Sequence, residues 1–323
     1  VQEMEKAENL LQAFILNPVI GPEPITGSSR MKSGTTTRIL LDVLSVVAAL
    51  DYPHYMIAQL VNLYEAACHS VYKAQPQLVC LIQLAASCLL SGGHVYYIGR
   101  EGPGLTAMID ASECLPTFGA SFNDIRGFVD GGYNQLDNNE GDLISLEDFT
   151  QDIQPHLQVN DLVVFLDPDE LHRFEPSMSA MPCRKVAVLL TQEDVSQGVP
   201  VCDFVLNINL DLPHLKTWTA ESGKNLVYQL AKEISFKWLL NCLSTAAHVL
   251  KGKVFQNSMV DVRVGNSKLF GRAARIIQKY CGLSVQEATE YLLRSIYGTD
   301  ALTPEQRSGH VVNHVLVASQ QDK

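Results

Sequence analysis

Four short apolar segments in the middle of the chain constrain its fold more than any other feature. They cover residues 94–98, 161–166, 185–190 and 204–208, and helical patterns lie before, between and after them. Nearly continuous apolar runs of this length are typical of strands that are buried on both faces of a parallel sheet. The sequence therefore predicts an α/β fold, with a doubly wound parallel sheet flanked by helices.

Helical periodicity accounts for much of the remaining chain. Helices are predicted over residues 3–16, 30–50, 56–73, 76–90, 105–113, 225–251, 265–281 and 284–297. A last segment, residues 310–318, alternates apolar and polar side chains, and this pattern predicts a strand. The predicted order is helices first, then an α/β domain, and then a C-terminal helical lid.

Composition narrows the classes of function. The 323 residues are 46% hydrophobic and 18% charged, with a formal net charge of −11. A surface this acidic repels nucleic acid and anionic membranes, so neither is an expected partner. The longest apolar stretch, residues 78–90, is too short to span a bilayer. The eight cysteines form no C-x-x-C pair, which predicts reduced thiols in an intracellular protein and no metal site.

The loop at residues 25–35 contains the groups that a phosphate site needs. Gly27 allows the backbone to approach a ligand closely, Ser28 and Ser29 supply hydroxyls beside a predicted helix start, and Arg30 adds positive charge. The plainer interpretation is an ordinary serine cap of a helix with basic residues nearby. Composition alone favours that plainer interpretation.

A second glycine-rich loop, at residues 99–104, follows the first predicted strand. It contains no Ser or Thr, and its Glu101 would repel an anion. The strand at residues 161–166 runs into residues 167–170, which include three carboxylates. Phosphate binding beside so many carboxylates is unfavourable. We therefore expect that the α/β domain does not hold a phosphate by itself.

Three longer motifs carry a family resemblance. The first combines residues 17–23 with residues 27–35, the second is residues 109–119, and the third combines residues 259–261 with residues 266–270. Together they resemble the signatures of two related families, the bacterial N-acetylmuramic acid 6-phosphate etherases and the animal glucokinase regulatory proteins. In the etherases the Gly-Ser run follows the Asp-Ala-Ser-Glu run, whereas here Ser29 precedes Glu113. This order resembles the regulatory proteins, which have two sugar isomerase (SIS) domains followed by a helical lid.

The resemblance implies three parts of the chain. Residues 1–50 would be the C-terminal remnant of a first SIS domain, residues 51–252 a second SIS domain, and residues 253–323 the lid. Because the chain opens with Val1 inside a helical pattern, we expect it to be a piece of a longer protein. The glycine-rich phosphate loop of the first SIS domain would then be absent, and the chain would hold only part of a ligand site.

The resemblance also assigns residues to a sugar-phosphate site. Ser29 matches a serine that contacts phosphate, Glu113 matches a glutamate that bonds sugar hydroxyls, and Lys268 matches a lid lysine near the ligand. The implied ligand is a fructose phosphate, and no cofactor or metal ion is implied. The expected ligand-binding residues are Gly27, Ser28, Ser29, Arg30, Glu113 and Lys268.

By this resemblance the expected function is regulation without enzymatic activity. A bound fructose phosphate would bias the conformation that inhibits glucokinase or another hexokinase, in the cytoplasm or nucleus. The partner-facing segments would lie around Gln197 and around Trp218, which is the one aromatic anchor in a mostly polar stretch. That polarity leaves glucokinase binding an open question.

Two alternatives remain open at the level of sequence. The first is an etherase-like lyase, in which Glu113 would be the general acid–base and Glu140 a weaker second candidate. The second is a degenerate SIS fragment that binds no ligand and serves only in packing or interaction.

Overall fold

The computed structural model describes residues 16–132, 144–166, 168–191, 202–216, 218 and 221–321. Glu140 and Gln197 lie outside these residues. The predicted helix over residues 3–16 also lies outside them, apart from its last residue. The described strands are β1 (Val95–Gly99), β2 (Ile125–Val129), β3 (Leu162–Phe165), β4 (Arg184–Thr191), β5 (Phe204–Asn209), β6 (Val254–Phe255) and β7 (Ser258–Met259). The described α-helices are α1 (Lys32–Ala49), α2 (Met56–Lys73), α3 (Gln75–Leu90), α4 (Glu101–Phe118), α5 (Leu146–Asp148), α6 (Pro168–Met178), α7 (Pro213–Lys216), α8 (Glu221–Leu250), α9 (Ser267–Cys281), α10 (Val285–Tyr297), α11 (Pro304–Ser308) and α12 (Val311–Gln321).

The centre of the molecule is a five-stranded parallel sheet with the order β2-β1-β3-β4-β5. Val95 of β1 pairs with Ile125 on one side and with Leu162 on the other. Every residue of β1 and β3 is buried, as expected for strands covered on both faces. This arrangement confirms the predicted doubly wound α/β fold. The switch in strand order falls between β1 and β3.

Helices cover both faces of the sheet, and the side chains of each strand alternate between two cores. On β1, Tyr97 points to the larger core, which α1, α2, α3, α4 and α8 build with residues such as Leu63 and Phe236. Its neighbours Tyr96 and Ile98 point to the smaller core, formed by the 146–157 segment and α6. Among the described residues, no helix is long and apolar enough to cross a membrane.

The C-terminal region forms a third core of its own. The β6–β7 hairpin leads into α9, which packs with α10 around Phe270, Leu293 and Ile296. The predicted strand at residues 310–318 is wrong, because residues 311–318 belong to helix α12. Val311 and Val315 lie one helical turn apart and pack on this core, so helical spacing decides the structure despite the local alternation.

Candidate functional site

Three distant parts of the chain meet at a small cleft, which we call the loop–lid cleft. They are the loop at residues 25–31, the C-terminal half of α4 and the start of α9 in the lid. The cleft has a volume of about 180 Å³. Its lining residues are Gly27, Ser28, Ser29, Glu113, Pro116, Thr117, Met259, Asn266, Lys268, Leu269 and Arg272. Five of the six predicted ligand-binding residues are therefore brought together, and Arg30 is not.

The 25–31 loop is held against the lid hairpin by its backbone. The Thr26 N–H donates to the Asn257 carbonyl oxygen at 2.7 Å, and the Ser28 N–H donates to the Ile25 carbonyl at 3.1 Å. Between them, Gly27 has a φ of +90°, a conformation that other residues rarely adopt. A Cβ on Gly27 would also lie 2.8 Å from Cζ of Arg272. The backbone conformation therefore requires glycine here, whereas the guanidinium lies at the end of a flexible side chain and could shift to make room for a Cβ.

Arg30 points away from the cleft into the protein, so in this conformation its side chain does not make the predicted contact with a ligand. Its side chain is buried, with Nη2 2.7 Å from Oδ1 of Asp110 on α4. The same guanidinium also donates to Oγ of Ser244 on α8. Burial lowers the pKa of Arg30, but the Asp110 charge and the interactions with Cys114 together outweigh burial and raise it. Arg30 thus anchors the loop from behind.

The N-terminus of α1 is capped by Glu23, a residue of the first motif to which the sequence assigned no role. The carboxylate of Glu23 accepts hydrogen bonds from the backbone N–H of Lys32 at 2.9 Å and of Ser33 at 2.7 Å. Partial burial would raise the pKa of Glu23, but the bonds from Ser33 and Lys32 hold it below its usual range. Glu23 caps the helix in place of Ser28 and Ser29, so these N–H groups do not face the cleft.

Helix α4 contributes the acidic side of the cleft. Glu113 and Thr117 lie one turn apart on the same helix face, with Glu113 exposed. Within the part of the chain that the structure describes, the Glu113 carboxylate has no hydrogen bond or ion pair. It is therefore free to accept hydrogen bonds from a ligand.

The lid contributes the basic side of the cleft through α9. Lys268 and Arg272 lie one turn apart, after Asn266, whose side chain caps the helix by accepting from the Leu269 N–H at 2.9 Å. Arg272 Nη2 donates to the Gly27 carbonyl oxygen at 2.7 Å and so joins the lid to the loop. Sequence reasoning assigned no ligand role to Arg272 or Asn266, although Arg272 lies at helical spacing from Lys268 and Asn266 is part of the third motif.

Trp218 does not fit its predicted role as an exposed aromatic anchor. Only 6% of the residue is exposed, because its ring packs into the larger core. Its Nε1 donates to Oη of Tyr52 at 3.3 Å, and the two rings meet edge to face at 5.9 Å between centroids. In this conformation the ring offers little surface to a partner.

Two family models match the chain in the order that its motifs predict. Residues 72–181 match the second SIS domain of glucokinase regulatory protein, and residues 256–323 match its C-terminal lid domain. The chain belongs to the glucokinase regulatory protein family. The boundaries at residues 50 and 252 are not tested by these matches and stay predictions.

Curated relatives extend the match over the whole chain. The glucokinase regulatory protein of Xenopus laevis is 33% identical over 100% of this chain and 55% of its own length. The human glucokinase regulatory protein is 34% identical over 100% of this chain and 54% of its own length. The chain thus spans about half the length of these relatives. An N-acetylmuramic acid 6-phosphate etherase of Staphylococcus epidermidis is 32% identical over 76% of this chain and 79% of its own length.

Proposed function

We propose that this chain contributes part of a sugar-phosphate site, and that the ligand is a fructose phosphate. One observation carries the proposal: the loop residues Gly27 to Ser29, Glu113 and Lys268 lie around one cleft, although they are far apart in sequence. The family membership supports this proposal, because residues 72–181 match a sugar isomerase (SIS) domain, a type of domain that suits sugar-phosphate binding. We further propose that the intact protein inhibits glucokinase or another hexokinase, in the cytoplasm or nucleus.

The groups around the cleft suit the two ends of such a ligand. Lys268 and Arg272 offer cationic donors, and Ser28 and Ser29 offer hydroxyls, so this end suits a phosphate. Glu113 offers carboxylate oxygens that accept hydrogen bonds from sugar hydroxyls. The cleft of about 180 Å³ is smaller than the roughly 300–1,000 Å³ usual for ligand pockets. This agrees with the hypothesis that residues outside this chain complete the site.

Regulation would follow from the position of the cleft between the lid and the 25–31 loop. A ligand that contacts both parts favours the conformation in which they are close, provided that it binds the alternative conformation less tightly. A partner enzyme that recognises one of the two conformations would then respond to the ligand. Trp218 is buried, so we assign no partner surface to it.

We propose a function without catalysis over the etherase-like alternative. The glucokinase regulatory proteins match the chain over its whole length, whereas the etherase matches 76% of it. Glu113 lines the cleft under both alternatives, so it does not distinguish them, and Glu140 lies outside the described residues. Within the described residues the cleft lining includes one carboxylate, that of Glu113.

Calorimetric titration of the chain with fructose 1-phosphate and fructose 6-phosphate tests the binding proposal. We expect Lys268→Met and Glu113→Gln each to weaken binding about tenfold or more, because hydrogen bonds to charged groups contribute about 1.5–3 kcal/mol. Ser29→Ala should weaken binding less, because a neutral hydrogen bond contributes about 1 kcal/mol.

Matched controls come from exposed residues on α2, which do not line the cleft. Lys73→Met and Glu65→Gln remove the same charges and should leave the dissociation constant unchanged. If neither fructose phosphate binds the chain or a longer protein that contains it, the proposed function is wrong. Equal weakening by the α2 variants would show that net charge, and not the cleft, determines binding.

A further inference from the structure

A partly buried lysine lies directly behind the 25–31 loop. Lys237 of α8 donates three hydrogen bonds from Nζ, to the Arg30 carbonyl oxygen at 2.8 Å, to Oγ1 of Thr35 at 2.9 Å and to Oδ1 of Asn241 at 2.9 Å. The first acceptor lies near the end of the loop, and the second lies in the first turn of α1. Lys237 therefore ties the exit of the loop to the helix that follows it.

Lys237 is not among the residues that line the loop–lid cleft, so it would act on a ligand only through the loop. The loop has two other supports nearby. The Ser29 carbonyl oxygen accepts from the Gly34 N–H at 2.7 Å, and the Arg30 side chain is paired with Asp110. Because Lys237 holds the Arg30 carbonyl itself, it fixes the backbone on the residue next to Ser29.

The surroundings of Lys237 favour a change of protonation in a mildly alkaline range. Burial lowers the pKa of Lys237 to about 8, against the opposing charges of Asp110 and Glu23. The positive charges of Arg30 and Arg38 act in the same direction as burial. Arg30 lies in the 25–31 loop and Glu23 lies just before it, while Arg38 is on α1 and Asp110 on α4. These four groups therefore act on the amine from the elements packed against α8.

We propose that Lys237 is a positioning residue whose ammonium form holds the 25–31 loop in its ligand-binding conformation. Three acceptors surround Nζ, and an ammonium has three N–H donors, whereas a neutral amine has two. Loss of the proton also replaces charge-assisted bonds by neutral ones, which are roughly half as strong. Binding in the cleft therefore weakens as Lys237 loses its proton. This inference rests on the proposed sugar-phosphate function.

The first test needs no ligand, so that it stands apart from the proposed function. Backbone ¹³C carbonyl resonances of Gly27, Ser28 and Ser29, which are not lost to proton exchange, are followed between pH 6.5 and 9.5 in the full chain. We expect one titration with a midpoint near pH 8 in the wild type, and none in Lys237→Met. Absence of a titration in the wild type, or the same titration in Lys237→Met, would overturn the inference.

A second pair of variants keeps the test decisive if Lys237→Met does not fold. Thr35→Val removes one acceptor that stabilises the ammonium form, so the midpoint of the loop titration should move to lower pH. Thr36→Val is the matched control on the next residue, and it should leave the midpoint unchanged. An unchanged midpoint in Thr35→Val would mean that Lys237 does not control the loop.

The second test measures the consequence for binding of fructose 1-phosphate by calorimetry between pH 7 and pH 9.5. The second pKa of a phosphate monoester is about 6, so the charge of the ligand is nearly constant in this range. We expect the wild-type affinity to fall about tenfold, as for a lost hydrogen bond to a charged group. Lys237→Arg stays charged, so its affinity for fructose 1-phosphate should not change with pH in this range. If the wild-type affinity for fructose 1-phosphate does not change between pH 7 and pH 9.5, the inference is wrong, while the proposed function still stands.

Discussion

At the scale of single residues, Gly27 is the position where the loop and the lid depend most directly on each other. An alanine there would need a φ of +90° and would place its Cβ 2.8 Å from the Arg272 guanidinium carbon. We expect Gly27→Ala to lower the free energy of unfolding by about 1–3 kcal/mol, as is usual for such backbone strain. Urea denaturation measures this change.

Gly271 of α9 offers a matched control for that substitution. A Cβ at Gly271 meets no atom within 4 Å, so Gly271→Ala should leave stability unchanged or raise it by up to about 1 kcal/mol through helix propensity. If Gly27→Ala were as stable as the wild type, the positive φ of Gly27 would not hold in solution.

The burial of His248 predicts how the stability of the protein depends on pH. The ring is fully buried, stacks on Phe118 at 4.6 Å between centroids, and donates from Nδ1 to the Ser244 carbonyl at 2.7 Å. Burial lowers the pKa of His248 below its usual value of 6.5, so the folded protein holds it neutral. The unfolded chain therefore takes up the proton first, and stability should be complete above about pH 6.5 and fall below it, by up to about 1.4 kcal/mol per pH unit.

Urea denaturation between pH 5 and 7.5 tests this sign. His248→Gln cannot be protonated, so its stability should depend less on pH in this range than that of the wild type. His69→Gln is the control, because the His69 side chain is 67% exposed and should leave the slope unchanged. A wild-type slope that survives in His248→Gln would assign the acid sensitivity to other groups.

The side chains show what sequence motifs can and cannot locate. Motifs were sufficient to select Ser29, Glu113 and Lys268, which the fold brings to one cleft. They could not give the direction of Arg30 or Trp218, because each side chain is oriented by a partner far away in sequence. Asp110 is 80 residues from Arg30, and Tyr52 is 166 residues from Trp218.

At the scale of elements, the reliability of the predictions follows the length and continuity of the apolar pattern. The four predicted strands are present because uninterrupted apolar runs suit a buried parallel sheet. Strand β2 was not predicted, since Arg126 and Gly127 interrupt its apolar run. Helix α4 is longer than expected at both ends. It includes the glycine-rich segment, where Gly104 packs closely against Gly99, and it continues to Gly119, which ends it at a φ of +58°.

At the scale of the whole molecule, the cleft lies away from the usual ligand position of an open α/β sheet. That position is the carboxyl edge of the strands at the switch point, here between β1 and β3. Arg100 Nη1 lies 3.2 Å from Oδ2 of Asp169 at this edge. Helix α4 starts at the same edge and runs back, so Glu113 and Thr117 come close to the opposite end, beside the lid. Topology thus separates the candidate site from the sheet's own crevice.

This placement predicts how a ligand should affect the stability of the whole chain. A fructose phosphate that contacts the 25–31 loop, α4 and α9 holds together segments from both ends of the described chain, since Gly27 and Arg272 are 245 residues apart. Ligand at about 100 times its dissociation constant should add about 2.7 kcal/mol to the free energy of unfolding. The melting temperature should therefore rise by several degrees in differential scanning calorimetry.

Fructose without the phosphate is the control for this prediction, because Lys268 and Arg272 then lack their anionic partner. It should leave the melting temperature unchanged at the same concentration, and Lys268→Met should reduce the rise caused by fructose 1-phosphate. An equal rise with fructose, or an undiminished rise in Lys268→Met, would place the stabilising contact outside the loop–lid cleft. The ligand would then not act as the link between loop and lid on which the proposed regulation depends.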